Sequence, residues 1–165
     1  MAILRIRKFN DPVLRKKSKE VKKVDKKIKK LVVDMAQTMI KNKGIGLAAP
    51  QVGVLKRVVV VATDLAGNRI FEVINPRIIE KSKEKEVDEE GCLSFPGIFL
   101  KIKRAKEIKV EGLDIKGRRM RFVAKGLLAR VFQHEIDHLD GVLFFHRLSF
   151  FQKLKFKITH PKIKF

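Results

Sequence analysis

Apolar positions recur along the chain with two different periods, and each period predicts a different kind of element. A helix is predicted from about Asp25 to Lys41, because apolar residues repeat there every three or four positions. Strands are predicted where short β-branched or alternating runs occur, at residues 57–62, 70–74, 98–102, 107–113 and 120–124. A turn is expected at residues 64–68, and the dipeptide Asn75-Pro76 is expected to end the strand before it.

A second helix is predicted from near Gly126 to Gly141. Large apolar residues fill its first half, at Leu127, Leu128, Val131 and Phe132, so we expect this helix to be largely buried. Strands followed by a buried helix indicate an α+β fold, in which mixed or antiparallel strands pack around that helix. The sequence has no internal repeat or low-complexity linker. We therefore expect one compact domain over residues 1–165, with residues 147–165 as a basic C-terminal tail or helix.

The charge balance is strongly basic, since 39 Lys and Arg against 18 Asp and Glu give a formal net charge of +21 at pH 7. Such a charge attracts polyanions such as RNA or anionic lipid, although a lysine-rich solvated surface would have the same composition. Apolar residues make up 45% of the chain, which indicates a folded protein. No apolar run approaches the roughly 20 residues of a membrane-spanning helix. The single cysteine excludes an internal disulfide and, with a start unlike a signal peptide, favours a cytoplasmic location.

The second predicted helix carries Gln133-His134-Glu135-Ile136-Asp137-His138, which has the form H-E-x-x-H. Residues four apart lie on the same face of a helix, so His134 and His138 can bind one metal ion together. Glu135 directly follows the first of them, where its carboxylate can reach a water molecule on that metal. The alternative is a helix with two chance histidines. Burial disfavours that alternative, because buried ionisable groups need partners.

A catalytic metal site usually has three protein ligands, so a third ligand is needed. Downstream, one group of zinc proteases has its final histidine at the position occupied here by Phe144, and neither His146 nor His160 has a suitable spacing. Upstream, the only cysteine is Cys92, in a segment with glycine and proline on either side at residues 89–97. A thiolate from that segment would complete a Cys-His-His set. A lone cysteine that merely packs in the core remains the alternative.

A third segment, residues 44–53, begins as G-x-G-x-x-A. That pattern is weakly typical of dinucleotide binding, but here it follows a predicted helix rather than a strand. Pro50 would also disrupt the helix that such a site requires. The better interpretation is a glycine-rich turn that lets a ligand approach the backbone closely.

The three segments together resemble the peptide deformylase family, whose members remove the N-formyl group from newly made proteins. The family's signatures G-x-G-x-A-A-x-Q, E-G-C-x-S and Q-H-E-x-D-H are all complete here, at residues 44–51, 90–94 and 133–138. They also occur in the family's order, and the resemblance extends over nearly the whole chain. An ordered set of three signatures is far more specific than any one of them.

The resemblance implies a role for each matching position. Cys92, His134 and His138 are expected to hold one divalent metal ion, and Glu135 is expected to move protons as the general base and acid. Two donors are expected to stabilise the oxyanion, namely the side-chain amide of Gln51 and the backbone N–H of Leu93. The positions expected to bind substrate are Ile45, Gly46, Gly91, Leu127 and Val131, with Arg130 beside them, and the pair expected to brace the cysteine segment is Glu90 and Arg104.

A thiolate ligand suits iron(II) or zinc better than magnesium. The resemblance implies iron(II) as the native metal, with zinc, nickel or cobalt also able to occupy the site. It implies N-formyl-methionyl nascent peptides as substrates, and the basic tail suggests docking on the ribosome near the exit. Two other function classes compete with this one. A metal-dependent protease is disfavoured because this sequence has no suitable third metal ligand downstream of the H-E-x-x-H motif. A non-enzymatic RNA-binding protein would explain the positive charge but none of the three signatures.

Overall fold

The structure is a computed structural model that describes residues 2–63 and 69–163. Within those residues the helices are α1 (Lys26–Lys41), α2 (Gly126–Leu139) and α3 (Phe150–Thr159). The strands are β1 (Gly46–Ala48), β2 (Val58–Ala62), β3 (Ile70–Lys81), β4 (Lys85–Cys92), β5 (Phe95–Ala105), β6 (Glu107–Leu113) and β7 (Arg119–Lys125). Short 3₁₀ turns lie at Pro12–Arg15, Ala49–Val52 and Phe144–Arg147. The turn predicted at residues 64–68 lies outside the described part of the chain.

Five strands form an antiparallel sheet in the order β1-β2-β3-β6-β7, and β4 pairs with β5 in a separate antiparallel two-stranded sheet. The combination of helices and antiparallel strands confirms the α+β prediction. All residues of β2 are buried, and they alternate between two layers. Val58 and Val60 pack in the cluster that contains α1, whereas Val59 and Val61 pack in the cluster that contains α2. The five-stranded sheet therefore lies between α1 and α2.

The prediction that Asn75-Pro76 ends a strand is wrong, because β3 continues through both residues. The register between β3 and β6 shifts between Ile74 and Arg77, which marks a bulge. At the bulge Asn75 has a φ of 52°. Its side chain holds that conformation by accepting from the N–H of Val21 and donating to the carbonyl of the same residue. The bulge accommodates a proline, which has no N–H to give to the ladder.

The charged segment at residues 80–90, for which the sequence analysis predicts no strand, is largely exposed. It forms the end of β3 and most of β4. Charged residues on both faces of β4 hide the two-residue period that marks a half-buried strand. Its partner β5 extends beyond the predicted residues 98–102 at both ends, because the two strands pair along most of their length. This hairpin brings Cys92, the last residue of β4, opposite Phe95.

The C-terminal helix α3 contacts the rest of the molecule mainly through Phe156, which is buried and stacks on Phe145 with ring centroids 5.4 Å apart. The other large apolar residues of α3 are between 53% and 80% exposed, namely Phe150, Phe151, Leu154 and Ile158. None of the helices in residues 2–63 and 69–163 is long and apolar enough to cross a membrane. One face of α3 therefore packs, while an apolar and basic face points to solvent.

Candidate active site

Two separate elements bring the predicted metal ligands together. Helix α2 places His134 and His138 one turn apart, with ring centroids 5.0 Å from each other. The end of β4 supplies Cys92, which precedes His138 by 46 positions in the sequence. The candidate ligand atoms of the three residues all lie within 4.8 Å of one another. The structure thus gathers the Cys-His-His set on one side of α2.

The spacing of these atoms fits a single metal ion. Cys92 Sγ lies 3.3 Å from His138 Nε2, and usual metal–sulfur and metal–nitrogen distances would put two such ligands of one tetrahedral ion about 3.6 Å apart. His134 uses Nδ1 to contact Glu90 Oε2 at 3.0 Å, which leaves Nε2 as its ligand atom. One thiolate and two imidazoles are donors that suit iron(II), cobalt, nickel and zinc.

The environments of the two imidazoles shift their pKa values in opposite directions. Burial, together with the nearby His134, lowers the pKa of His138 well below its usual value. Burial also acts to lower the pKa of His134, but hydrogen bonds to Cys92 and Glu90 outweigh it and raise that pKa well above the usual value. Of the two imidazoles, His134 therefore has the higher proton affinity in the metal-free chain. A metal ion binds the unprotonated imidazole, so metal binding competes with protonation of His134.

Glu90 and Arg104 form the buried pair that was expected to brace the cysteine segment. Arg104 donates through Nε to Glu90 Oε1 at 2.9 Å and through Nη2 to Oε2 at 3.0 Å. It also donates to Asp137 of α2, so the pair connects the β4–β5 hairpin to the helix. Burial acts to raise the pKa of Glu90, but the hydrogen bonds from His134 and Arg104 bring it down to about 2. Glu90 is therefore ionised and holds the imidazole of His134 in a fixed orientation.

Glu135 is the second buried carboxylate, and its environment is the opposite. Its Oε2 is buried and has no hydrogen-bond partner among the described residues. Burial raises the pKa of Glu135 to about 7, although the nearby His134 acts against that shift. Its carboxylate lies directly against the backbone of Gly46, where an added Cβ would collide with it. A buried carboxylate with a pKa near neutrality and a free oxygen can accept and return a proton.

Gln51 lies in the 3₁₀ turn Ala49–Val52, beside the cysteine. Its Oε1 accepts from the N–H of Ala48 at 2.8 Å, which turns the amide NH₂ toward the site. That NH₂ lies 3.5 Å from Cys92 Sγ and 3.3 Å from Ser94 Oγ. The amide of Gln51 therefore offers N–H donors beside the candidate ligands. Sequence reasoning passed over Ser94, although it is the last position of the signature E-G-C-x-S.

These residues surround a cavity of about 560 Å³. Its walls include most of the positions predicted from the sequence, namely Ile45, Gly46, Gln51, Glu90, Gly91, Cys92, Leu93, Leu127, Val131, His134 and Glu135. His138 and Arg104 lie behind this wall, at 1% and 5% exposure. The expectation that Leu127 is buried is wrong, since it is 50% exposed at the first turn of α2. Its place in the wall of the cavity explains that exposure.

The sequence and the fold of this chain are similar to those of one known protein family. The profile of the family described as polypeptide deformylase matches residues 3–154. Peptide deformylase 1 of Clostridium perfringens is 54% identical over 145 residues, which cover 87% of this chain and 97% of that protein.

Solved structures agree with this similarity. The crystal structure of peptide deformylase from Thermotoga maritima has a TM-score of 0.86 and 50% sequence identity, over 90% of this chain and 99% of that one. A class I type b peptide deformylase from Acinetobacter baumannii, crystallised with Met-Ala-Ser bound, has a TM-score of 0.85 and 34% identity. That match covers 89% of this chain and 99% of the other.

Proposed function

The chain belongs to the polypeptide deformylase family, and from that premise we propose how its residues carry out the reaction. It is a metal-dependent hydrolase that removes the N-formyl group from formyl-methionyl nascent peptides and releases formate. The observation that carries the assignment of roles is the grouping of Cys92, His134 and His138 at the wall of a cavity that Glu135 also lines. Residues 1–165 are proposed to form a single catalytic domain. A cytoplasmic location is proposed with it, because nascent chains carry the formyl group where they are made.

We propose that Cys92, His134 and His138 hold one divalent metal ion. When bound, such an ion lowers the pKa of a coordinated water molecule to about 7, which supplies a nucleophile at neutral pH. The thiolate favours iron(II), zinc, nickel or cobalt over magnesium and calcium. Within that group we propose iron(II) as the native metal, as the resemblance to peptide deformylases implies.

Glu135 is proposed to carry the proton. Its buried Oε2, which has no hydrogen-bond partner within residues 2–63 and 69–163, and its pKa near 7 suit a group that takes a proton from water and passes it to the departing amine. One carboxylate can serve both steps because they occur in sequence. Gly46 allows β1 to pass close to this carboxylate, so the backbone that borders the substrate lies directly beside the proton carrier.

Gln51 and Leu93 are proposed to stabilise the negative charge that develops on the formyl oxygen. The amide of Gln51 is oriented by its acceptor contact with Ala48, so its donors are set before the substrate arrives. Leu93 follows the cysteine directly and lines the same cavity, and its backbone N–H is proposed as the second donor. Donors that are fixed in advance cost no reorganisation during the reaction, which is the basis of oxyanion stabilisation.

The peptide is proposed to bind along β1. This strand has three residues and lies at the edge of the five-stranded sheet, so its outer side can pair with an extended chain. Backbone groups of Ile45, Gly46 and Gly91 would align the peptide. The methionine side chain would occupy the apolar part of the cavity between Ile45, Leu127 and Val131.

We propose that α3 docks the enzyme on the ribosome near the exit. Residues 147–165 contain Lys and Arg but no Asp or Glu, and Phe150 and Phe151 are 75% and 80% exposed on the same helix. Lysines that contact phosphates release counterions, which gives attraction to RNA without sequence preference. The exposed aromatic rings would add apolar contact area. The buried Phe156 anchors α3 to the molecule, so docking would not require the helix to detach.

A formate assay tests the function. We expect formate release from formyl-Met-Ala-Ser and no internal cleavage of an unblocked peptide of similar length. Internal cleavage would instead indicate a metal-dependent protease. Binding of RNA by a chain that acts on neither peptide would indicate a non-enzymatic RNA-binding protein.

A further inference from the structure

Arg130 occupies the α2 position one turn before His134, so both side chains project from the same side of the helix. Although it borders the cavity, Arg130 is only 6% exposed and its guanidinium turns into the β4–β5 hairpin. Nη1 donates to Glu90 Oε1 at 2.8 Å and to the carbonyl of Ile102 at 2.9 Å. Nη2 donates to the carbonyl of Glu86 at 3.0 Å. The side chain thus connects α2 to both strands of the hairpin.

These contacts give Glu90 a second guanidinium from a different direction. Arg104 reaches the carboxylate from β5 and contacts both oxygens, whereas Arg130 reaches Oε1 from α2. Oε2, which also accepts from Arg104 Nη2, contacts His134 Nδ1. Charged, oriented donors at both ends of a carboxylate limit its rotation, so the imidazole that it holds is fixed as well.

The hairpin depends on such contacts for its position. It forms a sheet of its own, separate from the five-stranded sheet, and its strand β4 ends at Cys92. Arg130 bonds to a carbonyl in each strand, at Glu86 and Ile102, so it holds the middle of the hairpin against α2, as Gln133 and the Arg104–Asp137 contact do near the end of β5. The thiolate at the end of β4 faces the two imidazoles of α2 only while the hairpin keeps this position.

We propose that Arg130 is a positioning residue for the metal centre. It holds Glu90, and through Glu90 the imidazole of His134, in line with the thiolate of Cys92. This inference rests on the proposed ligand set. A role in stability alone is the competing explanation, but buried ion clusters contribute little net stability because desolvation offsets most of their attraction. Orientation of the ligands is the effect that the contacts of Arg130 explain.

The test uses the full chain loaded with cobalt(II), whose bond to a thiolate gives a charge-transfer band in the near ultraviolet. We expect Arg130→Met to weaken cobalt binding by about 10–100-fold, the usual effect of losing an outer partner of a ligand, and to shift the band. Arg57→Met is the matched control. Arg57 is 8% exposed and pairs with Asp140 at 2.6 Å and with the carbonyl of Pro76, so it is a buried arginine whose partners lie outside the hairpin. Its loss should lower thermal stability and leave the cobalt affinity and band unchanged.

Arg130→Lys provides a second, milder variant in case Arg130→Met does not fold. One ammonium can approach Glu90 but cannot span the carboxylate and both carbonyls, so an intermediate loss of affinity is expected. Unchanged affinity and an unchanged band in the folded Arg130 variants would overturn the inference while the ligand set stands. Absence of the band in the unmodified chain would overturn both the ligand set and the inference.

Discussion

Two carboxylates near the same imidazole have opposite electrostatic environments. Glu90 accepts hydrogen bonds from two guanidinium groups and contacts His134. Burial acts to raise its pKa, but the hydrogen bonds from His134 and Arg104 lower that pKa to about 2. Glu135 is buried with a free oxygen, and its pKa rises to about 7. A pair of carboxyls whose pKa values are pushed apart indicates different tasks. Glu90 is a permanent anion that orients a ligand, and Glu135 can change protonation state near neutral pH.

Glu135→Gln should retain the metal and lose activity. The amide has the same shape, and it cannot accept the proton of a water molecule. We expect the rate of formate release to fall by a factor of ~100 or more, the scale of general acid–base catalysis, with unchanged metal content by elemental analysis. Turnover close to that of the parent enzyme would rule out the proposed role.

The same substitution has a predictable effect on the metal-free chain. Because the folded-state pKa of Glu135 is raised from 4.5 to about 7, the folded state binds its proton more tightly than the unfolded state. The cost of ionising it is therefore absent below pH 4.5 and complete above about pH 7. Metal-free Glu135→Gln should melt at a higher temperature than the metal-free parent at pH 8, and this difference should shrink toward pH 5.

Cys92 links the choice of metal to oxygen sensitivity. Its side chain is partly exposed, and a thiolate beside iron(II) gives two oxidisable partners in one open site. We expect the activity of the iron-loaded enzyme to decay in air and to persist under anaerobic conditions. The nickel-loaded enzyme should keep its activity in both. Equal decay of the two forms in air would place the lability outside the metal centre.

At the scale of elements, the active site depends on the close approach of β1 to α2. Gly46 of β1 has no side chain, and a Cβ there would lie 2.7 Å from Val131 Cγ1 in addition to its collision with Glu135. Real Cβ atoms do not approach other atoms so closely, so any other residue would displace the strand, the helix or these two side chains. The glycine therefore permits the close approach of the proposed peptide-binding edge to the proposed proton carrier.

Gly46→Ala should reduce kcat/KM by about 100-fold, because displacements near 1 Å at a catalytic group have effects of that size. Metal content should stay the same, since the added Cβ would meet Glu135 and Val131 rather than a ligand. Gly112→Ala is a suitable control, because its Cβ would be crowded to a similar degree by Val73 in β3, away from the cavity. The control should lose stability and keep its kcat/KM. Equal losses of kcat/KM in both variants would contradict the proposed role of the close contact between β1 and α2 at Gly46.

At the scale of the whole molecule, the excess of positive charge is combined with a helix whose outer face is unusually apolar. The five-stranded sheet lies between α1 and α2, and a third apolar cluster lies beneath α3. Of the apolar residues of α3, Phe156 belongs to that cluster, and Phe150 and Leu154 do not. Packing alone therefore does not account for the composition of this helix. An exposed apolar patch among lysines is typical of an interaction surface.

Docking through α3 and the residues that follow it can be tested by reversing charge at two exposed positions, one in the helix and one after it. We expect Lys155→Glu combined with Lys162→Glu to weaken ribosome binding and to make it less sensitive to salt. The log–log slope of affinity against salt should fall by about one unit for each phosphate that the enzyme no longer neutralises. Turnover of formyl-Met-Ala-Ser should not change. Lys27→Glu combined with Lys29→Glu makes the same charge change on α1, and if this control weakens ribosome binding equally, the effect belongs to the net charge and not to the C-terminal segment.

The spacing of residues along the sequence was enough to predict many residues of the candidate site. The helical period alone puts His134 and His138 on one face, and the three signatures identify Cys92, Gln51 and Glu135 as candidates. The helix from Lys26 to Lys41 and the strand from Val58 to Ala62 were also predictable, because their apolar patterns are strong over short windows. Such features depend on neighbours within a few residues, which a single sequence contains.

Tertiary structure decided what depends on distant neighbours. Charged β4 becomes a strand because β5 pairs with it, and β3 passes Pro76 because Val21, far away in the sequence, holds Asn75 in place. The burial that raises the pKa of Glu135 and the two guanidinium groups that hold Glu90 also come from separate segments. No local pattern encodes a contact between residues so distant along the chain. The distance between Cys92 and the histidines, on which the metal centre depends, is therefore a property of the folded chain.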